Sequence, residues 1–180
     1  MNPASIEGVD WDAAVIGAGP AGAMTAIHLA QAGAKVFLVD RERFPRYKVC
    51  GGCLNARALA ALRAAGLTTL PGETITQFNL GVNKKRCALT LPAGHAVSRN
   101  AMDAALAHVA QQRGALFIDG CAARIADGDM THRFVHLQRD QIQATIRAKI
   151  VIAAGGLGRT AHLPEEFHAR VARNSRLGGG

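Results

Sequence analysis

The stretch Asp12-Ala13-Ala14-Val15-Ile16-Gly17-Ala18-Gly19-Pro20-Ala21-Gly22 decides how this chain is read. Residues 12–16 are a short apolar run of the kind that forms a buried strand, and the glycines after it fit G-x-G-x-x-G. From residue 21 to 32 the spacing turns helical, with Met24, Ile27 and Ala30 or Gln31 at three- and four-residue steps and Gly33 as the stop. Residues 35–39 form a second β-branched and apolar run that ends at Asp40. Strand, glycine turn, helix and strand packed into so short a length make a βαβ unit. In such a unit the first glycine, Gly17, permits the tight turn, Gly19 lets backbone approach a pyrophosphate, and Gly22 lets helix and strand pack closely. Pro20 and Ala21 open the helix, whose N-terminus offers N–H groups and a positive dipole end to phosphates. Asp40 stands where a carboxylate accepts from a ribose 2′-hydroxyl and repels a 2′-phosphate. The motif by itself does not separate NAD from FAD.

Outward from this unit, residues 41–54 read as irregular, rich in Gly, Pro and Arg. A helix follows, with Asn55 as its N-cap, Leu59 and Leu62 on one face and Gly66 past its end. Residues 74–82 and 85–91 alternate and read as two strands with Asn83 in the turn. The next helix has Asn100 as the expected cap, Met102, Leu106 and Val109 on one face, and Gly114 as its stop. Residues 115–119 read as a third parallel-type strand, residues 121–127, 132–138 and 141–147 as an antiparallel meander, and residues 150–154 as a final buried strand. The expected fold is α/β: a three-layer, Rossmann-type FAD/NAD(P)-binding domain with a central parallel sheet and a β-meander. Residues 1–73 and 98–180 would form that domain, and residues 74–97 would start a substrate-facing β-sheet.

Composition agrees with one globular domain: 180 residues, 49% hydrophobic and 19% charged. These values exclude disorder, collagen and coiled coil. Lys and Arg exceed Asp and Glu by 21 − 13 = +8. The basic residues are scattered, with no run longer than Lys84-Lys85-Arg86, so no nucleic-acid partner is expected. Cys50, Cys53, Cys87 and Cys121 are too few and too unevenly spaced for a disulfide framework. Residues 13–34 carry no formal charge, but their glycines, Pro20, His28 and Gln31 make them a poor membrane span. The start has neither a basic n-region nor an apolar h-region. A cytoplasmic protein without a transmembrane segment is expected.

Three groups of residues carry a family resemblance. They are the turn at residues 12–22, the run Val39-Asp40-Arg41-Glu42-Arg43-Phe44-Pro45-Arg46, and Lys48-Val49-Cys50-Gly51-Gly52-Cys53-Leu54. Together they resemble the N-terminal part of FAD-dependent oxidoreductases of the geranylgeranyl reductase-like and flavin-dependent halogenase or monooxygenase branch. Ser98-Arg99-Asn100-Ala101-Met102-Asp103 is similar to that family's "R-x-x-(F/L)-D-x-x-L" helix start, and residues 150–159 are similar to its strand leading into "A-x-G-x-x-S". The resemblance implies that the glycine turn and Asp40 hold the ADP half of FAD. It also implies Arg41 or Arg43 near the adenine ribose or pyrophosphate, and Arg99 near the cofactor phosphates or flavin edge. Backbone at Ala122 and Ala123 would contact adenine, and Gly155 would lie by the cofactor. Family members continue through a "G-D-A-A-G" segment and a second sheet that this sequence lacks, so the domain is expected to be incomplete at its C-terminus. Uncovered sheet surface would then favour association.

Cys50-Gly51-Gly52-Cys53 leaves several readings open: a redox pair, a zinc half-site, a flavin-contacting loop in which Gly51 and Gly52 allow backbone approach, or a purely structural segment. A zinc site would need a second pair, which Cys87, Cys121 and the scattered histidines do not offer, so no metal is expected. No Ser–His–Asp set or carboxylate pair stands out, and no catalytic residue is assigned. The expected function is FAD-dependent oxidoreduction, with NAD(P)H as transient electron donor and a small or lipid-like organic molecule as acceptor. The alternatives are an NAD-dependent dehydrogenase on a plain Rossmann domain, and a non-catalytic nucleotide-binding fragment.

Overall fold

The structure, a computed structural model, describes residues 2–156. Its centre is β1 (Asp10–Ile16), which is apolar along most of its length because both of its faces are covered. Parallel neighbours flank it: β2 (Val36–Val39) on one side and β9 (Ile142–Ala153) on the other, with β6 (Leu116–Ile118) parallel beyond β2. The antiparallel strands β8 (Arg133–Arg139) and β7 (Ala122–Gly128) complete a six-stranded sheet in the order β6-β2-β1-β9-β8-β7.

The two-residue period of the strands divides the core in two. Val15, Val36 and Leu38 face α1 (Pro20–Gln31) and α3 (Arg99–Gln112), against Ala23, Ala26, Ile27, Met102 and Leu106. Ala14, Ile16, Phe37 and Val39 face the opposite way and pack with Val135, Leu137, Ala144 and Ile146 of the meander. Helices, parallel sheet and meander are therefore three layers, the expected α/β Rossmann-type arrangement.

Some local expectations are corrected. The strands foreseen at residues 141–147 and 150–154 are one strand, β9, whose first part pairs with β8 and whose second part pairs with β1. The polar residues between them do not break it. Arg147 and Lys149 point outward and pair with Asp10 and Asp12, each at 2.7 Å. The irregular segment 41–54 ends in a short strand, β3 (Cys53–Asn55), before α2 (Ala56–Ala64). Asn55 caps α2 as expected, its Oδ1 accepting from the Ala58 N–H at 2.9 Å. By contrast α3 begins at Arg99 with Ser98 as N-cap, two residues earlier than the expected Asn100, and Ser98 makes no side-chain cap bond. An Arg99–Asp103 pair spans that first turn instead.

A second, three-stranded sheet has the order β3-β5-β4, built mainly from the hairpin of β4 (Glu73–Val82) and β5 (Lys85–Ala96). Asn83 and Lys84 sit in its turn with positive φ, as such two-residue turns require. Phe78 lies opposite Leu89 and Leu80 opposite Cys87, so one face of the hairpin is apolar, and Phe78, Leu80, Val82 and Leu89 are exposed. Among the described residues no helix is long and apolar enough to cross a membrane. Residues 157–180, with the end of the 150–159 motif, lie outside the described residues.

Candidate functional site

The strand ends of β1, β2 and β9 open into a cleft of about 620 Å³. Its floor is the glycine turn, and each glycine does a different task. Gly17 has φ +104°, and a Cβ there would strike the Ala154 carbonyl. A Cβ at Gly22 would strike the Gly17 carbonyl and lie 3.1 Å from the Ala154 side chain, so this glycine lets α1 meet β1 and β9. At Gly19 a Cβ would project into the cleft, meeting only the Arg46 Nη2 at 3.4 Å and the Arg99 Nη2 at 3.9 Å. Gly19 is also the N-cap of α1, which has no side-chain cap and no acidic residue in its first turn. The positive end of the helix is left free for an anion.

Asp40 follows β2 and is 8% exposed. Its Oδ2 accepts from the Ala18 N–H at 2.8 Å and its Oδ1 from the Glu42 N–H at 3.0 Å. The carboxylate thus ties the glycine turn to the loop after β2. A carboxylate offers about four acceptor positions, so these two bonds leave capacity toward the cleft it lines.

Arg46 is the residue that sequence reasoning missed. It comes from the loop after β2, which is pinned where the Phe44 N–H donates to Asp119 Oδ2 at 2.8 Å. The Arg46 Nε lies 3.7 Å from Asp40 Oδ2, while its Nη2 lies 3.2 Å from Asp103 Oδ2. That Nε is buried without a hydrogen-bond partner. Asp103, 0% exposed, also takes Arg99 in a two-pronged contact, Nε to Oδ1 and Nη2 to Oδ2, both at 2.9 Å. The Asp103 carboxylate strengthens the hold of Arg99 on its proton, against the opposing effect of burial. The four-residue spacing of Arg99 and Asp103 on a helix signals their pairing. Nothing in the spacing of Arg46 signals that it joins them.

The expected site residues divide. Gly17, Gly19, Pro20, Ala21, Asp40, Arg41, Arg99, Ala123 and Gly155 line the cleft. Gly22 lies behind it as the packing glycine. Arg41 spends its Nε on Glu42 at 3.1 Å. Arg43 does not line the cleft, and its Cγ packs at Gly120. Ala122 is exposed on β7 and does not line the cleft. Cys50, Gly51 and Gly52 do not line the cleft, and Cys50 adjoins it through Arg99. The Gly52 N–H first, and the Arg99 side chain second, hold the Cys50 thiol below its ordinary value. Strand β3 lies between Cys50 and the start of α2. Gly52 has φ +66° and its carbonyl accepts from the Val97 N–H at 2.7 Å, which fixes the loop against the start of α3. Cys121, inside the cleft wall, is the opposite case, because burial pushes its thiol up.

A glycine turn at a helix N-terminus, an acid after the second strand and two guanidinium groups facing the turn define a dinucleotide-binding α/β domain. The chain belongs to the FAD binding domain family, whose model matches residues 10–166, and FAD is its cofactor. It is 30% identical over 166 residues to a menaquinone reductase of Mycolicibacterium smegmatis, covering 84% of this chain and 41% of that protein. The chain thus spans well under half the length of this curated relative. Its fold is similar to that of the myxobacterial chondrochloren halogenase, with a TM-score of 0.75 at 19% identity, covering 84% of this chain and 38% of that one. It is likewise similar to a geranylgeranyl bacteriochlorophyll reductase-like protein of Thermoplasma acidophilum, with a TM-score of 0.70 at 22% identity over 82% and 39% of the two chains.

Proposed function

We propose that this chain is the ADP-binding part of an FAD-dependent oxidoreductase that takes electrons from NAD(P)H and delivers them to a lipid-like organic acceptor. The observation that carries the cofactor reading is Gly19, where the missing Cβ leaves open a cleft faced by Arg46 and Arg99. Those donors and the uncapped α1 N-terminus suit a diphosphate, and the remaining acceptor capacity of Asp40 suits ribose hydroxyls. Ala123, Gly155 and Arg41 border the same cleft and would flank the nucleotide. When bound, the flavin supplies the redox chemistry, and the protein supplies position and electrostatics.

This chain's own residues have three tasks. The glycine turn and α1 bind the diphosphate, Asp40 orients the adenosine end, and the loop carrying Arg46 walls the cleft from water. The second sheet, β3-β5-β4, would begin the surface facing the substrate. The relatives support a lipid-like acceptor, since one is named a menaquinone reductase and a structural neighbour a geranylgeranyl bacteriochlorophyll reductase-like protein. The test is spectroscopic. Protein mixed with FAD and freed of excess should carry visible flavin absorbance, and anaerobic NAD(P)H should bleach it once the whole oxidoreductase is present. A protein that retains NAD and no flavin would make it a plain Rossmann dehydrogenase instead.

A further inference from the structure

We propose that Asp103 is a positioning residue: a buried carboxylate that holds the Arg46 and Arg99 guanidinium groups side by side over the glycine turn, as a fork for a diphosphate. The proposal rests on the flavin-nucleotide reading above and goes one step beyond it, to the group that sets the geometry of the phosphate-binding cations. Asp103 does not line the cleft. It lies at 0% exposure on α3, and a carboxylate so placed must be paired. Both Nη2 atoms converge on its Oδ2, Arg99 at 2.9 Å and Arg46 at 3.2 Å. The same two Nη2 atoms are the groups nearest to the empty side of Gly19. One oxygen thus fixes two long side chains, from loop and helix, at the spot where the turn is open.

Two effects of the carboxylate compete. Its charge cancels part of the positive field that would attract a phosphate, so as a mere counter-ion Asp103 would weaken anion binding. As a positioning group it removes the rotamer freedom of two arginines before the ligand arrives, which strengthens binding. Charge-assisted contacts of this kind depend on angle as much as on distance, and the fork is lost when either arginine swings away. The geometric effect is the larger here, because both guanidiniums are largely buried, at 11% and 17% side-chain exposure, and have a carboxylate in common.

The test compares ADP with adenosine, which lacks the diphosphate, by isothermal titration of the whole chain. Asp103→Asn should weaken ADP about tenfold or more and leave adenosine within about twofold. Arg99→Lys keeps the charge, loses the two-pronged hold, and should show the same split. It sits on a partly exposed first turn, so it reads out even where Asp103→Asn fails to fold. Tighter ADP binding by Asp103→Asn, with Arg99→Lys unchanged, would make Asp103 a counter-ion and overturn the proposal. Equal losses for ADP and adenosine in Arg99→Lys would reduce the cluster to fold support and overturn it too. A wild-type chain that binds neither ADP nor FAD overturns the flavin-nucleotide reading itself.

Discussion

At the scale of single residues, Asp40 does two things at once. It offers acceptors to the cleft, and it satisfies the Ala18 and Glu42 N–H groups. Asp40→Ala should therefore weaken FAD by about 1–3 kcal/mol, and should also lower the stability of the cofactor-free protein by about 1–3 kcal/mol, since two backbone donors lose their partner. Titration and denaturant unfolding measure the two separately, and unchanged stability would contradict the anchoring role. The proposed ribose-binding role was legible from the position of the acid after the second strand. The anchoring role was not, because the donors are backbone groups brought together only by the fold. Cys50 allows a pH experiment. Its thiol is held low by the Gly52 N–H and then by Arg99, so its alkylation by iodoacetamide should rise with pH around a midpoint below that of a free cysteine. Arg99→Gln should move that midpoint upward. A depressed folded value means the thiolate's contribution to stability is present above the unfolded value and is lost as pH falls through the folded one.

At the scale of elements, the glycine turn separates folding from binding. Gly22→Ala drives a methyl group into the Gly17 carbonyl, which is backbone and cannot swing aside, so thermal unfolding should fall sharply. Gly19→Ala meets only the ends of two arginine side chains, at 3.4 and 3.9 Å, so stability should hold while FAD binding fails. Equal damage to stability from both variants would contradict this division. Asn55→Ala at the start of α2 should cost about 1 kcal/mol, the usual value of a lost N-cap bond. The helices and the βαβ unit were legible because stop glycines and apolar spacing agreed. The short β3 and the continuity of β9 were not. Cys53 to Asn55 become a strand only by pairing with Gly94 to Ala96, and the break foreseen near Lys149 disappears because its charge finds Asp12. Tertiary partners decided both.

At the scale of the whole molecule, the two core faces close around the parallel strands, while the β4–β5 hairpin leaves Phe78, Leu80, Val82 and Leu89 exposed. An apolar face of this kind favours association. Phe78→Ser should leave thermal unfolding nearly unchanged, because Phe78 is 52% exposed, and should reduce self-association in sedimentation velocity. The fold class and the glycine turn could be read from local pattern. The Arg46–Asp103–Arg99 cluster could not, since it joins a loop to a helix far along the chain. The central claim is that the cleft recognises the ADP half of FAD, and a titration of the chain with FAD and with FMN, which keeps one phosphate but lacks the adenylate, tests it most directly. FAD should bind at least about tenfold more tightly than FMN, whereas equal affinity for the two, or binding of neither, would contradict the account.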